Sequence, residues 1–284
     1  MSYQTVNISG LSGPTHHFGG LSYGNTASMT HKHHISNPKK AAIDCLEKMK
    51  QLLDLGVPQI LMPPQECPKV APITALGYQG SQKKLSENII TAHPHLLTEL
   101  YSSSNMWTAN SASISPSLDT QDHRVHITPA NLSASRHRAL ELPHTSKMLT
   151  LIFDNPNYFV HHPPLPHYYQ DEGAANQLRL CHPQTKQGIR LFVYGKNIDK
   201  QSAFPARHSY EACYGIANSH TLDPRRTLFL EQNKQAIQKG VFHNDVISLS
   251  YQNTLLYHED TFEDSNSIEH IQKKSIEHGW ELNC

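Results

Sequence analysis

Two rhythms of apolar and polar positions run along this chain, and each predicts a different element. In SNPKKAAIDCLEKMKQLLDLG, residues 36–56, the apolar positions Ile43, Leu46, Met49, Leu52 and Leu53 recur at three- and four-residue steps. That period places them on one stripe of a helix. Asn37 stands where a side-chain cap belongs, Pro38 suits the first helical position, and Gly56 ends the run. Further helices are predicted over 84–101, 144–153 and 205–220. Runs with strand character lie at 4–8, 59–64, 124–132, 188–195 and 227–232. GVFHNDVISLSYQ, residues 240–252, also has the frame of a strand, since Val241, Val246, Ile247 and Leu249 suit one. Strands and helices thus alternate without a linker of disordered composition, which predicts an α/β or α+β chain in a single domain with many loops. No short-period sequence repeat is visible. From residue 259 the chain becomes polar and charged, with only a weak stripe of Ile268, Ile271 and Ile276.

Composition removes several function classes. The 284 residues carry 24 Lys plus Arg against 24 Asp plus Glu, a net charge of zero, whereas an electrostatic nucleic-acid binder needs a basic excess. No apolar run approaches the roughly 20 residues of a membrane span. The first residues, MSYQTVNISGLSG, lack the basic and apolar regions of a signal peptide. The five cysteines, Cys45, Cys67, Cys181, Cys213 and Cys284, form no CxxC pair and suit free thiols in a reducing compartment. The expected setting is the cytoplasm, with no nucleic-acid or membrane partner. Histidine is abundant at 21 residues, with clusters at 16–17, 31–34 and 161–162. HKHH has no Cys or Asp at ligand spacing, so solvent-facing histidines and no metal site are expected.

Four stretches hold unusual polar density. GPTHHFGGLSYGNTAS, 13–28, combines glycines that admit close backbone approach with neutral hydrogen-bonding side chains, but it lacks the spacing of a phosphate loop. Asn110 lies among small residues, and Arg136, His137 and Arg138 cluster after a strand; taken alone, that cluster reads as a solvated basic turn. In YYQDEGAANQLRLC, Asp171 and Glu172 precede small residues that let a ligand reach a carboxylate. In the 240–252 stretch, His243 and Asp245 stand two apart and so share one strand face. A buried charge there calls for a partner, and a cationic ligand supplies one.

Together, NISGLSGPTHHFGGLSYGN, SNPKKAA, MWTANSASISPSLDT, RVHITPANL, DEGAAN, LFVYG, PARHSYEA and GVFHNDVI resemble the N-succinylarginine dihydrolases of arginine catabolism over about residues 5–258. The resemblance implies an α/β fold, a five-bladed α/β propeller (pentein) that would be incomplete in this chain, followed by a divergent polar tail at 259–284. It implies hydrolysis of N-succinylarginine to N-succinylornithine, carbon dioxide and two ammonia, without metal or organic cofactor, in a protein that is a homodimer when complete. By resemblance, Glu172 and His243 are catalytic. Gly19, Gly20, Leu21, Ser22, Tyr23, Gly24, Asn25, Thr26, Ala27 and Ser28 form a substrate-binding loop, and Asn110, His137, Arg138, Arg207 and Asp245 contact substrate.

The residue types fit that chemistry. A planar guanidinium pairs with carboxylates such as Asp245 and Glu172, His243 moves protons near neutral pH, and Arg138 and Arg207 suit substrate carboxylates. The family also uses a thiolate that attacks the guanidinium carbon. The Asn-Gly-Gly-Gly segment expected near that cysteine does not occur here, and none of the five cysteines sits in a setting that activates a thiol. The expectation is therefore a chain that binds substrate without turning it over. The alternatives are a remnant that binds guanidino compounds without chemistry and an amidinohydrolase of the arginine deiminase kind.

Overall fold

The helix expected from the clearest pattern forms over Pro38–Asp54. The side-chain oxygen of Asn37 accepts from the Lys40 N–H at 3.0 Å, and Gly56 follows in the left-handed conformation at φ +81°. A computed structural model of the chain describes residues 4–21, 25–196 and 204–284. The chain is divided between two compact units, Met1–Thr108 with Ser135–Met148, and Ala109–Ala134 with Leu149–Cys284.

In the first unit, strand β1 (Asn7–Gly10) pairs in parallel with β2 (Gln59–Met62), and the 38–54 helix lies between them in sequence. Of that helix's apolar stripe, Met49 is buried, while Ile43, Leu46 and Leu53 remain about half exposed. The helix expected over 84–101 is broken. It runs Gln82–Ala92, His93 leaves helical geometry at φ −140°, and short turns follow at Pro94–Leu96 and Leu97–Leu100. Pro94 is the cause, because proline disfavours helical backbone at the residue before it. Ile73, Leu85, Ile89 and Leu100 close a small core over these pieces.

The second unit repeats one plan twice. Strands β3 (Ala112–Ser115), β4 (Val125–Pro129) and β5 (Phe159–His161) form one sheet; β6 (Gln177–Cys181), β7 (Gly188–Tyr194) and β8 (Thr227–Glu231) form another. In each, the first two strands are antiparallel, and the third returns in parallel after a helical connection. The sequence shows no repeat because this plan needs only alternation and burial, not identical residues. Strand β7 is buried on both faces. Ile189, Leu191 and Val193 point to one core, while Phe192 points to another built with Cys213, Ile216 and Ala217 of the helix Tyr210–Ser219.

Two expectations change here. The 240–252 stretch is not one strand: His243 is extended, Asn244–Val246 make a 3₁₀ turn, and only then does strand β9 (Ser248–Tyr251) pair with β10 (Thr254–Tyr257). His243 is therefore buried while Asp245 is exposed, and the shared-face argument for the two fails. The stretch from 259 is also part of the core. Phe262, Ile271 and Trp280 pack against Leu180, Leu191 and Leu255, with the helix Ser267–Glu277 carrying Ile271 inward. At roughly 1.5–3 kcal/mol per buried apolar side chain, this segment contributes substantially to the second unit.

Candidate active site

Glu172 and His243 meet in the second unit. His243 Nε2 lies 2.6 Å from Glu172 Oε2, with both side chains buried. An ionised carboxylate only accepts, so Nε2 carries the hydrogen of this bond, and the basic nitrogen of the neutral ring is Nδ1. Each residue stands at the mouth of a 3₁₀ turn, Gly173–Asn176 for Glu172 and Asn244–Val246 for His243. Gly173 is required for its backbone. Its φ is +70°, and a Cβ there would lie 3.1 Å from the Ala109 carbonyl oxygen and 3.2 Å from that of Asn110. The small residues after the two acids thus serve chain geometry, with Ala175 and Asn176 buried.

Arg207 joins the pair through an aromatic ring. Its guanidinium carbon lies 4.1 Å from the centre of the Phe242 ring, and that ring meets His243 edge-on at 4.8 Å. Arg207 is itself buried. Asn110 donates from Nδ2 to the Glu172 carbonyl at 3.2 Å. Neighbouring titratable groups are strongly perturbed. Burial pushes the Asp171 carboxyl up to about 7, assisted by Glu172 and opposed by the Gly173 N–H. Burial likewise pushes His208 down to about 4. Perturbed ionisable groups around a hydrogen-bonded acid and imidazole are a mark of functional sites.

Asp245 is exposed in the second unit, and the other residues singled out in the sequence belong to the first unit. His137 and Arg138 are buried in the short helix Arg136–Ala139, not a solvated turn. His137 Nδ1 lies 2.9 Å from Ser135 Oγ. Only Arg136 is exposed, bridging Glu99 through two 2.6 Å bonds. In the 19–28 loop, a Cβ on Gly19 would sit 2.3 Å from the His31 carbonyl oxygen, which explains that glycine. Asn25 caps the helix Thr26–Thr30 by accepting from the Ser28 N–H, and Gly20 donates to the Ser28 carbonyl. Leu21 precedes Ser22, Tyr23 and Gly24, which lie outside the described residues. HKHH is exposed as expected, but His16 is buried, accepting from the Gly13 N–H and reaching the Gln65 carbonyl.

The profile of the family described as Succinylarginine dihydrolase matches residues 2–282. The chain belongs to the succinylarginine dihydrolase family. N-succinylarginine dihydrolases from Marinobacter nauticus, Yersinia pseudotuberculosis and Shewanella baltica are 47%, 45% and 43% identical to it, over 93%, 94% and 96% of the chain. The chain spans 60%, 61% and 64% of the length of these relatives. In structure it is similar to an arginine dihydrolase from the ornithine–ammonia cycle in Cyanobacteria, with TM-score 0.57 and 15% identity, over 94% of this chain and 29% of that one. The substrate-bound N-terminal domain of that enzyme gives TM-score 0.55 at 14% identity, over 94% and 71%. The α/β fold is thus shared with these enzymes. The succinylarginine dihydrolase match runs through the segment after 258, in keeping with its place in the core.

Sequence reasoning missed His208, Asn131 and Phe242, which surround Glu172 and His243. His208 follows the arginine of PARHS, and Phe242 precedes His243 in FHND. A rule that inspects the neighbours of each marked residue would have found both.

Proposed function

We propose that the complete protein hydrolyses N-succinylarginine to N-succinylornithine, carbon dioxide and two ammonia, with Glu172 and His243 moving the protons. The supporting observation is the buried 2.6 Å hydrogen bond between them, beside the Arg207 guanidinium. Glu172 holds the imidazole by Nε2, leaving Nδ1 to take a proton from the attacking water and return one to departing ammonia. A planar, cationic guanidinium is the group that a buried carboxylate accepts well. Arg207 suits a substrate carboxylate. Asn110, Asp245, His137, Arg138 and the 19–28 loop are substrate contacts on this reading, whose basis is family resemblance.

The thiols of the second unit support a division of labour. Cys213 is fully buried in an apolar cluster, and that burial pushes its thiol well above the usual range. Cys181 is buried at the end of β6, and Cys284 is exposed near Gln272. We infer that residues 1–284 supply proton transfer and substrate binding, without the thiolate nucleophile, and by themselves bind rather than turn over.

The test is ammonia release from N-succinylarginine by the complete protein, with arginine as comparison. Two ammonia per succinylarginine, lost in His243→Asn, is the expected result. Equal turnover in the variant, or preference for unmodified arginine, would refute the reading.

A further inference from the structure

Three consecutive backbone amides around Glu172 each end on a side chain. The Asp171 N–H donates to Asn131 Oδ1 at 3.2 Å, the Glu172 N–H to His208 Nδ1 at 2.9 Å, and the Gly173 N–H to Asp171 Oδ1 at 2.9 Å. Asn131 is itself anchored. Its Nδ2 reaches the carbonyls of Leu165, Pro166 and Tyr169 at 3.1, 3.2 and 2.7 Å. Asn131, Asp171 and His208 are all more than nine-tenths buried. Buried amides need acceptors, but backbone elements usually provide them. Here side chains do, Asn131 and His208 from distant segments and Asp171 from two residues away, and they converge on one catalytic candidate.

The dipeptide Arg207–His208 reaches both halves of the pair. His208 receives the amide of Glu172, while Arg207 lies over Phe242, whose ring abuts His243. Because His208 Nδ1 accepts a hydrogen bond, that nitrogen is unprotonated and the ring is neutral with its hydrogen on Nε2. Burial favours the same neutral form. The ring is stiff, with two side-chain torsions, so it holds the amide at a fixed distance. Its Nδ1 is 3.9 Å from Asp171 Oδ1, too long for a hydrogen bond, which leaves the Glu172 amide as its partner.

We propose that His208 is a positioning residue: it fixes the backbone of Glu172 so that the carboxylate meets His243 Nε2. No reacting atom needs to touch it. The consequence for catalysis rests on the proton-transfer reading above; the positioning itself does not.

The experiment is therefore independent of turnover. Histidine-selective ¹⁵N labelling of the chain, with His243→Asn to assign the signal, reports the His243 Nε2–H resonance, which the bond to Glu172 shifts downfield and protects from exchange. Two polar replacements of His208 separate the roles. His208→Asn places Oδ1 close to where Nδ1 stood; His208→Gln places its oxygen nearer the former Nε2. The expected result is a retained His243 signal in the Asn variant and a lost or displaced one in the Gln variant, with both folded by urea titration. An unchanged signal in His208→Gln, or equal loss in both, overturns the proposal. Should the Gln variant fail to fold, Asn131→Asp reads the same clamp by changing the group next to the Asp171 amide while retaining an acceptor. Unaltered His243 resonances there together with loss in His208→Asn would also overturn it. Absence of ammonia release by the complete protein, with these shifts intact, would instead count against the proposed reaction.

Discussion

His243 Nε2 and Glu172 Oε2 lie 2.6 Å apart, although 71 residues separate them in the chain. Neither sits on regular secondary structure. Each occupies the residue before a tight turn, His243 with extended backbone and Glu172 at φ −107° and ψ 9°, and each side chain is buried. The sheets β3–β4–β5 and β6–β7–β8 provide the fixed frame from which these loops emerge. This division between rigid strands and functional loops is common in enzymes.

Replacing Glu172 with Gln keeps the shape but removes the charge that orients the imidazole. Turnover of N-succinylarginine by the complete protein is expected to fall by about 10²–10⁴, the usual range for a general acid–base group. Steady-state ammonia release measures it, and a loss under tenfold would speak against proton transfer through this pair.

Gly173→Ala adds a Cβ against the Ala109 and Asn110 carbonyls in a residue with positive φ. Destabilisation on the order of 1–3 kcal/mol is expected from the strained backbone. Urea midpoints would show it. A midpoint within error of the parent would mean that the turn does not need glycine.

The segment after 258 is expected to be structural. Ile271 is fully buried, whereas Ile276 on the same helix is 65% exposed. Ile271→Ala is expected to cost about 2–5 kcal/mol, and Ile276→Ala less than about 0.5 kcal/mol. Equal effects at the two positions, read by chemical denaturation, would remove this segment from the core.

A pH prediction follows from His220, buried between Ser115 Oγ and Thr128 Oγ1 at 2.7 Å each and stacked on His162, with His126 beside it. Burial, with His162, His126 and Arg190 near, pushes His220 far down, and burial lowers His162 as well. In the unfolded chain a histidine takes its proton near about 6.5. Below that pH the unfolded state binds more protons, so stability present above it is lost as pH falls, by up to about 1.4 kcal/mol per pH unit per histidine. Asp171 has the opposite sign. Held protonated up to about 7, it makes stability fall as pH rises from the usual carboxylate range towards 7. His220→Gln should therefore flatten the acid loss of stability, and Asp171→Asn should remove the decline on the way up. Urea midpoints across this window check both, and unchanged slopes would contradict the assignments.

Much of the fold could be read from sequence, and the reasons differ by element. The 38–54 helix was legible because cap, proline and period agree. Strand β7 was legible because GIRLFVY is rich in strand-forming residues. The break at Pro94 was legible in principle, but apolar spacing outweighed the proline. The polar sequence after 258 hid a core helix because few residues, chiefly Ile271 and Trp280, make its contacts. At the site, the pairing of His243 with Glu172 depended on tertiary geometry across 71 residues. The strand argument offered Asp245 instead, and the 3₁₀ turn at 244–246 sends it outward. His208 carried no signal except its place beside Arg207, because a buried amide acceptor has no spacing rule.

The central claim is that His243, oriented by Glu172, faces the guanidinium group of a succinylated arginine. Titrating N-succinylarginine into histidine-labelled protein while following the His243 imidazole resonances tests it most directly. A saturable shift of those resonances is predicted, much weaker with N-succinylornithine and absent in Glu172→Gln. Resonances that stay unmoved at saturating N-succinylarginine, or that move equally with the ornithine compound, would contradict the account.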